Sequence, residues 1–439
     1  MYVSKDYTDL YHMSTSSFKQ TSSAGSSSGQ DLSLAFVIPW FGEYIGGGAE
    51  AECRQLVKQL VATKPTVKIE VITTTLKEFS ADWNVNVHKA GLHSESGIAV
   101  RRFKADPHPR TGFGPMNDYR LAAPILADLK GPALRSPLTP EEENFYLDCM
   151  VHSADMYDFL ASSRNRYDYF IFMPYMFGTT VRGSSVVGDK AVIIPCLHDE
   201  RYAYMDIYKN MMRQAAAGLF HVKAEMQLAN RLYGMKGRQL LLGEMVDTTP
   251  VGDAARFREK YSIQDDFIIY SGRKIKGKHL PMLVDFFERA RQSPQFAKLK
   301  LVLMGKGELD YSQKEGVVDL GFIPVQDKHD AFAAAKVLCQ PSQNESFSIV
   351  MMESWLQQTP CLVNAKCDVT VDHCKDSGGG LWFENFDSFT NNLNSVIENE
   401  QRRREMGKKG REYVLNNYAP PIITERLVTF LNEMKGGKS

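Results

Sequence analysis

The chain has 439 residues, long enough for two domains that each bury a core. Lys+Arg and Asp+Glu both number 52, so no excess of positive charge points to nucleic acid or to strong attraction toward anionic lipid. Seven cysteines without a CxxC pair argue against a disulfide framework and a zinc ribbon, and fit a reducing compartment.

The first thirty residues lack the charged start and apolar core of a secretory signal. Residues 21–30 are rich in Ser and Gly, so 1–30 read as a disordered tail or linker. The longest apolar run, residues 169–177, is interrupted by Pro174 and falls well short of the ~20 residues a spanning helix needs. These features predict a cytoplasmic protein, with any membrane contact peripheral.

Residues 32–39 form the first strand, with Leu34, Phe36 and Ile38 apolar as expected when helices cover both faces. A glycine turn, Gly46-Gly47-Gly48, leads into a helix over 49–63, and 67–73 read as strand again, which makes a βαβ unit. Residues 85–102 hold strand-like pieces, of which 98–103 is the clearest. Residues 106–140, rich in Pro and Gly, form an irregular excursion, and a loop of that length is usually functional. It is the candidate acceptor-side segment. A helix over 141–162 and strands at 169–173, 190–195 and 218–221 complete the first half.

Residues 243–252 read as the linker. Beyond it the alternation restarts, with strands at 267–270, 299–304, 317–322, 337–341 and 360–363 and helices at 280–291, 327–335 and 349–358. The pattern predicts domains at 31–246 and 247–420, each a doubly wound parallel sheet, with a cleft between them. A last amphipathic helix over 421–436, after Pro420-Pro421, carries Ile423, Leu427, Phe430, Leu431 and Met434 on one face and packs back on the first domain.

Two stretches carry chemistry. Glu345 follows an apolar strand, with Ser346, Phe347 and Ser348 leading into a helix from Ile349; Glu353 lies a turn further on. Backbone amides, a helix N-terminus and two carboxylates at one sheet edge suit a sugar joined to a phosphate. Taken alone, two acids eight apart are an ordinary loop acid and helix acid. Gly272-Arg273 and Lys278 end the strand that starts the second half, and two cations there would offset the charge of a departing diphosphate without a metal. Otherwise residues 273–278 read as a solvated turn. Cys367, His373 and Cys374 lack a second ligand pair and read as free thiols beside a histidine.

Gly46-Gly47-Gly48-Ala49-Glu50, Gly272-Arg273 with Lys278, Met304-Gly305-Lys306-Gly307, Gly321-Phe322, and Glu345 with Glu353 occur in the order found in retaining glycosyltransferases of the GT-B fold, family 4, which the chain resembles from about residue 34 onward. The resemblance implies an α/β chain of two facing Rossmann-like domains, with the C-terminal helix crossing back to the first. It implies that a nucleotide sugar, UDP- or GDP-linked, is the donor substrate, that no cofactor or metal is used, and that a glycan or lipid-linked hydroxyl is the acceptor. Arg273 and Lys278 would bind the donor diphosphate, Glu353 the ribose, and Phe322 and Ile323 would flank the base. Gly305 would border the same site. Glu345, with Ser346, Phe347, Ser348 and Ile349, would hold the transferred sugar. Gly47 and Gly48 would let the first domain's loop approach phosphate and acceptor, and His198, after the strand at 190–195, would face the donor sugar. Ser346, Ser348 and His279 stand where the family commonly has glycine.

Arg101, Arg102, Lys104 and Arg110 form a basic cluster beside Phe103, a candidate for an anionic lipid-linked acceptor or the membrane surface; Arg402, Arg403, Arg404, Lys408, Lys409 and Arg411 form a second basic face, read as solvated. Two further readings compete. Gly46-x-Gly48-x-x-Ala51 matches the dinucleotide fingerprint of an NAD-dependent oxidoreductase, with Glu70 as its acid, although residues 40–45 separate strand from glycines. A sugar-nucleotide 2-epimerase would use the same two-domain fold.

Overall fold

Long apolar runs set the strands, and chain reversals at two points set the cleft. The computed structural model describes residues 31–43, 48–107, 111–117, 121 and 136–437. The expected tail at 1–30, Gly46, Gly47, Arg110 and much of the 106–140 excursion lie outside the described residues.

The first sheet comprises β1 (Leu32–Val37), β2 (Val67–Thr74), β3 (Gly91–Glu95), β4 (Ile98–Phe103), β5 (Tyr169–Phe172), β6 (Ala191–Ile193), β7 (Ala217–Phe220) and β8 (Arg238–Leu241). Its order is β3-β4-β2-β1-β5-β6-β7-β8, parallel except for the antiparallel β3–β4 hairpin. Ser96 and Gly97 turn that hairpin with φ of 48° and 81°, the paired positive values of a type I′ turn. The second sheet comprises β9 (Phe267–Ser271), β10 (Lys300–Met304), β11 (Val317–Gly321), β12 (Val337–Gln340), β13 (Cys361–Asn364) and β14 (Gly380–Phe383). It is wholly parallel, in the order β11-β10-β9-β12-β13-β14. β1, β5, β9 and β12 are buried along nearly their whole length, as expected for strands with helices on both faces. In each sheet the order reverses beside the first strand, between β1 and β5 and between β9 and β12. Ligands bind beyond the carboxyl ends of strands at such points.

Several elements differ from expectation. Residues 218–221 are not the last strand of the first half, because β8 follows; its polar Arg238-Gln239 start hides it. Residues 141–162 are two helices, Pro140–Cys149 and Ala154–Ser162, since Met150 is extended and Ser153 starts a new helix by accepting from the Met156 amide. Thr139 and Glu142 form a capping box at the first. Beyond residue 363 the chain adds β14 and helices Asp368–Ser377, Phe386–Ile397 and Glu400–Asn417.

The chain crosses between the sheets twice, at residues 242–246 and at 418–419, and the Val246 amide donates to the Tyr418 carbonyl at 2.9 Å. The final helix, Pro420–Gly436, opens with proline at its first turn and buries Ile423, Leu427, Phe430, Leu431 and Met434. Lys435 donates to the Asp31 carbonyl at 2.8 Å and to Asp168 at 3.0 Å, and Arg238 to Glu433 at 3.2 Å, which fixes this helix on the first sheet's layer.

Candidate active site

The ends of β9, β10 and β11 are tied together. The Gly272 amide donates to the Met304 carbonyl at 3.0 Å and the Gly305 amide to the Gly321 carbonyl at 2.7 Å. Gly305 has a φ of 130°, and a Cβ there would sit 1.9 Å from the Gly272 carbonyl oxygen, so only glycine allows this approach. The following turn holds its cations in three ways. Lys274 is buried and donates to both Asp319 oxygens, at 2.8 and 2.7 Å, which anchors the turn. Arg273 is exposed, and its carbonyl accepts from the Tyr270 hydroxyl at 2.7 Å. Lys278 points into the reversal between β9 and β12 and donates to Glu345 at 2.6 Å, with side chains 22% and 11% exposed.

Glu345 belongs to the turn after β12. Ser346 is exposed toward the first sheet, whereas Phe347 is buried edge-on against His373, at 5.2 Å, and Tyr418, at 4.9 Å. His373 accepts or donates at the Tyr413 hydroxyl, 3.0 Å away, and burial lowers its pKa to about 4. Cys367, His373 and Cys374 are all buried, and neither thiol is in a disulfide. Ser348 enters the helix Ile349–Leu356 with φ 66°, and His279 enters helix Leu280–Ala290 with φ 54°. Of the three residues that stand where the family commonly has glycine, these two sit in left-handed backbone, Ser348 opening the helix that carries Glu353. In that helix Glu353 accepts from Lys328 at 2.6 Å through one oxygen, while its other oxygen is buried without a partner. Phe322 is 72% exposed, 4.8 Å beneath the Lys306 ammonium, and Ile323 is half-buried beside it.

Three hollows meet at Ser346. One of about 240 Å³ is bounded by Gly272, Lys278, Gln340, Glu345, Ser348 and Ile349. One of about 590 Å³ opens against the first sheet and is lined by Gly48, Phe79, Tyr175, Phe177, His198 and Glu244, among others. A third of about 630 Å³ takes in His198, Glu345 and Lys366. His198 thus faces Glu345 across the gap, and Gly48, the first residue of helix Gly48–Thr63, reaches the same space. Gly47 lies outside the described residues.

On the first sheet's side a buried charge cluster lies under the 590 Å³ hollow. His221 Nε2 is 2.6 Å from Glu52 and its Nδ1 is 3.4 Å from Glu225, which also accepts from the Leu197 and His221 amides at 2.7 and 2.6 Å. Burial alone would lower the His221 pKa, but Glu52 and Glu225 on either side hold it well above its ordinary value. Glu244, which borders both the small and the middle hollow, is pushed up to about 7 by burial and then by the charge of Glu52. Glu52, Glu225 and Glu244 went unnoticed in the sequence, His221 figured there only as the end of a strand and Cys196 only as one of seven cysteines; these residues share no local spacing.

Two groups of side chains singled out in the sequence make internal contacts. The basic cluster beside Phe103 is occupied internally: Arg101 donates to Glu70 at 2.5 Å and lies 4.6 Å over the Phe159 ring, and Arg102 is buried between Glu95 and the Phe41 carbonyl, at 2.7 Å from the latter. Lys104 is exposed, and Arg110 lies outside the described residues. Glu70, the acid of the dinucleotide fingerprint, has its second oxygen bonded to the Tyr167 hydroxyl at 2.8 Å, so neither oxygen is left for a ribose. At 402–411, Arg402, Arg404, Lys408 and Lys409 are solvated as expected, with Arg404–Glu400 and Lys409–Glu405 pairs along the helix, whereas Arg403 donates to the Val396 and Ile397 carbonyls at 3.0 Å and Arg411 to the Leu356 carbonyl.

Two facing doubly wound sheets, with a helix that returns from the second to the first, define the GT-B fold. Solved structures agree. The chain superposes on sucrose-phosphate synthase from Thermosynechococcus elongatus with a TM-score of 0.62 at 14% identity, covering 92% of this chain and 100% of that one. HepE of Anabaena, in complex with UDP, gives 0.63 at 14% identity, with the same coverage of 92% and 100%. WaaG, a glycosyltransferase involved in lipopolysaccharide biosynthesis, gives 0.55 at 12% identity, covering 91% and 99%.

Residues 253–413 match the family described as Glycosyl transferases group 1, a stretch that takes in the second sheet and most of its helices. In sequence the chain is 26% identical over 203 residues to the capsular polysaccharide biosynthesis glycosyltransferase CapM of Staphylococcus aureus, a match covering 42% of this chain. It spans about half, 52%, of that relative's length. No helix among the described residues is long and apolar enough to cross a membrane.

Proposed function

We propose that the chain is a glycosyltransferase that moves a hexose from a UDP- or GDP-linked donor to a hydroxyl of a glycan or lipid-linked acceptor, with retention at the anomeric carbon, in polysaccharide or glycoconjugate biosynthesis. The observation that carries this reading is the Lys278–Glu345 pair, 2.6 Å long, at the β9/β12 reversal and facing the first sheet across Ser346. The names of the relatives support it: CapM is a capsular polysaccharide glycosyltransferase, and HepE has been solved with UDP and with UDP-glucose.

In this mechanism the donor diphosphate lies between Lys278, Arg273 and the amides that open helix Ile349–Leu356, whose positive end favours an anion. Glu353, in the second turn of that helix, is the acceptor for the ribose hydroxyls. Phe322 and Ile323 flank the base, and Gly305 keeps the strand ends low enough for the phosphates to approach. Glu345, with the amides of Phe347 and Ser348, holds the hexose, and His198 meets it from the opposite side.

As the bond from the anomeric carbon to the diphosphate oxygen breaks, positive charge grows on the sugar and negative charge on the phosphate, which Lys278 and Arg273 stabilise. The acceptor hydroxyl forms the new bond on the same face, and its proton passes to the departing phosphate oxygen. Glu345 positions the sugar and does not attack it. The two cations supply the neutralisation of the diphosphate, and closure of the gap excludes competing water. The protein works in the cytoplasm, with peripheral contact to the membrane that carries a lipid-linked acceptor.

A thermal-shift screen against UDP- and GDP-hexoses tests the reading, since a ligand bound only by the native state raises the melting temperature. The stabilising donor is then turned over, and NMR of the product reports the anomeric configuration. A flat screen removes the proposal, and an inverted product removes retention.

A further inference from the structure

The cluster beneath the 590 Å³ hollow has no part in the donor chemistry above. One ligand atom from each of Glu52, Cys196 and His221 lies within 4.8 Å of the other two. They come from helix Gly48–Thr63, from the turn after β6 and from the residue after β7, so the parallel sheet brings three distant positions to the carboxyl ends of neighbouring strands.

Their chemistry is that of a mixed nitrogen, sulfur and oxygen site. Glu52 and His221 are buried, at 6% and 5% exposure. Glu225 stands behind His221, 3.4 Å from Nδ1, and is itself held by two amides. A carboxylate behind the far nitrogen is the usual support of a metal-bound histidine, because it fixes the ring and strengthens it as a ligand. Cys196 is held at φ 53°, a conformation that residues with a side chain rarely adopt, and its sulfur faces the other two groups. An imidazolium between Glu52 and Glu225 would be a closed ion triad. It would leave Cys196 idle and the remaining charge unbalanced, for the described lining also carries Glu50, Glu200 and Glu244 and holds no lysine or arginine.

We propose that Glu52, Cys196 and His221 bind a zinc ion through a carboxylate oxygen, the thiolate and imidazole Nε2, with the fourth position open to the hollow. Three protein ligands of these types with one open position match the coordination zinc adopts at non-structural sites. The ion replaces the Nε2–Glu52 hydrogen bond by a shared cation and balances the acidic lining. Its open position takes water or a hydroxyl that enters the hollow.

The full-length protein, stripped with a chelator, is titrated with zinc against a chromophoric competitor, and separately with cobalt(II). One equivalent of tightly bound zinc and a thiolate-to-cobalt charge-transfer band are expected. Cys196→Ser and His221→Ala lose the bound equivalent, Cys196→Ser also loses the band, and Glu225→Gln weakens zinc by about tenfold or more. A wild-type protein that binds no equivalent overturns the proposal. So does a stoichiometry and cobalt spectrum that Cys196→Ser leaves unchanged, and that near-isosteric variant decides alone if His221→Ala does not fold.

Discussion

Lys278→Met tests the pair at the centre of the donor site through stability and binding at once. The substitution keeps most of the side chain's length and removes its charge, leaving Glu345 with 11% exposure and no cation at 2.6 Å. Removing one partner of a fully buried pair costs about 3–5 kcal/mol, and exposed pairs are worth about 0–1 kcal/mol. With Lys278 22% exposed, the loss falls between these limits, at roughly 2 kcal/mol. In the proposed donor complex the same ammonium would serve the diphosphate, and a charge-assisted hydrogen bond of about 1.5–3 kcal/mol corresponds to roughly 10- to 100-fold in affinity. Urea unfolding reads the first quantity and calorimetric titration of UDP the second. Glu345→Gln on the Lys278→Met background should recover about half of the lost stability, because the stranded charge is gone. A Lys278→Met protein as stable as the parent, with unchanged UDP affinity, would refute both the pair and its role.

Glu345→Ala should lower turnover more than donor affinity, since its proposed contact is with the transferred sugar; equal losses in kcat and in 1/KM would assign it to binding alone. His279→Gly should raise stability by up to about 1 kcal/mol, read as a higher Tm, because φ 54° strains a residue with a side chain and the helix after it is already started by Pro281. A lower Tm would show that the imidazole makes a compensating contact. Burial holds His373 at about 4, against about 6.5 when unfolded, so above pH 6.5 it is neutral in both states. Between pH 6.5 and 4 the unfolded chain takes up a proton that the folded one refuses, and stability falls by about 1.4 kcal/mol per pH unit. His373→Gln should flatten that part of the stability curve, and an unchanged slope would place the loss elsewhere.

Much of the architecture was legible because β1, β5, β9 and β12 are short, mostly apolar runs soon followed by glycine or proline, and a parallel strand covered on both faces has few other sequence signatures. β8 was not legible, since a strand at the sheet's edge tolerates Arg238 and Gln239. Helix Glu400–Asn417 was not either; its apolar stripe is only Met406, Val414 and two glycines, and its charged face dominates any periodicity. The proposed donor residues lie in the turns and helices that directly follow β9, β10, β11 and β12, where order along the chain and position above the sheet coincide. Arg101 and Arg102 misled because their partners Glu70 and Glu95 belong to neighbouring strands, and pairing across a sheet is invisible along one chain. Glu52, Cys196 and His221 converge only through the sheet order, so no spacing in the sequence announces them.

The most direct test of the donor site is a calorimetric titration of UDP and GDP into the parent protein and into Arg273→Ala/Lys278→Ala. The account predicts saturable binding of one of the two nucleotides, weakened by roughly 100-fold or more when both cations are gone. Equal affinity in the two proteins, or no binding of either diphosphate by the parent, would contradict it.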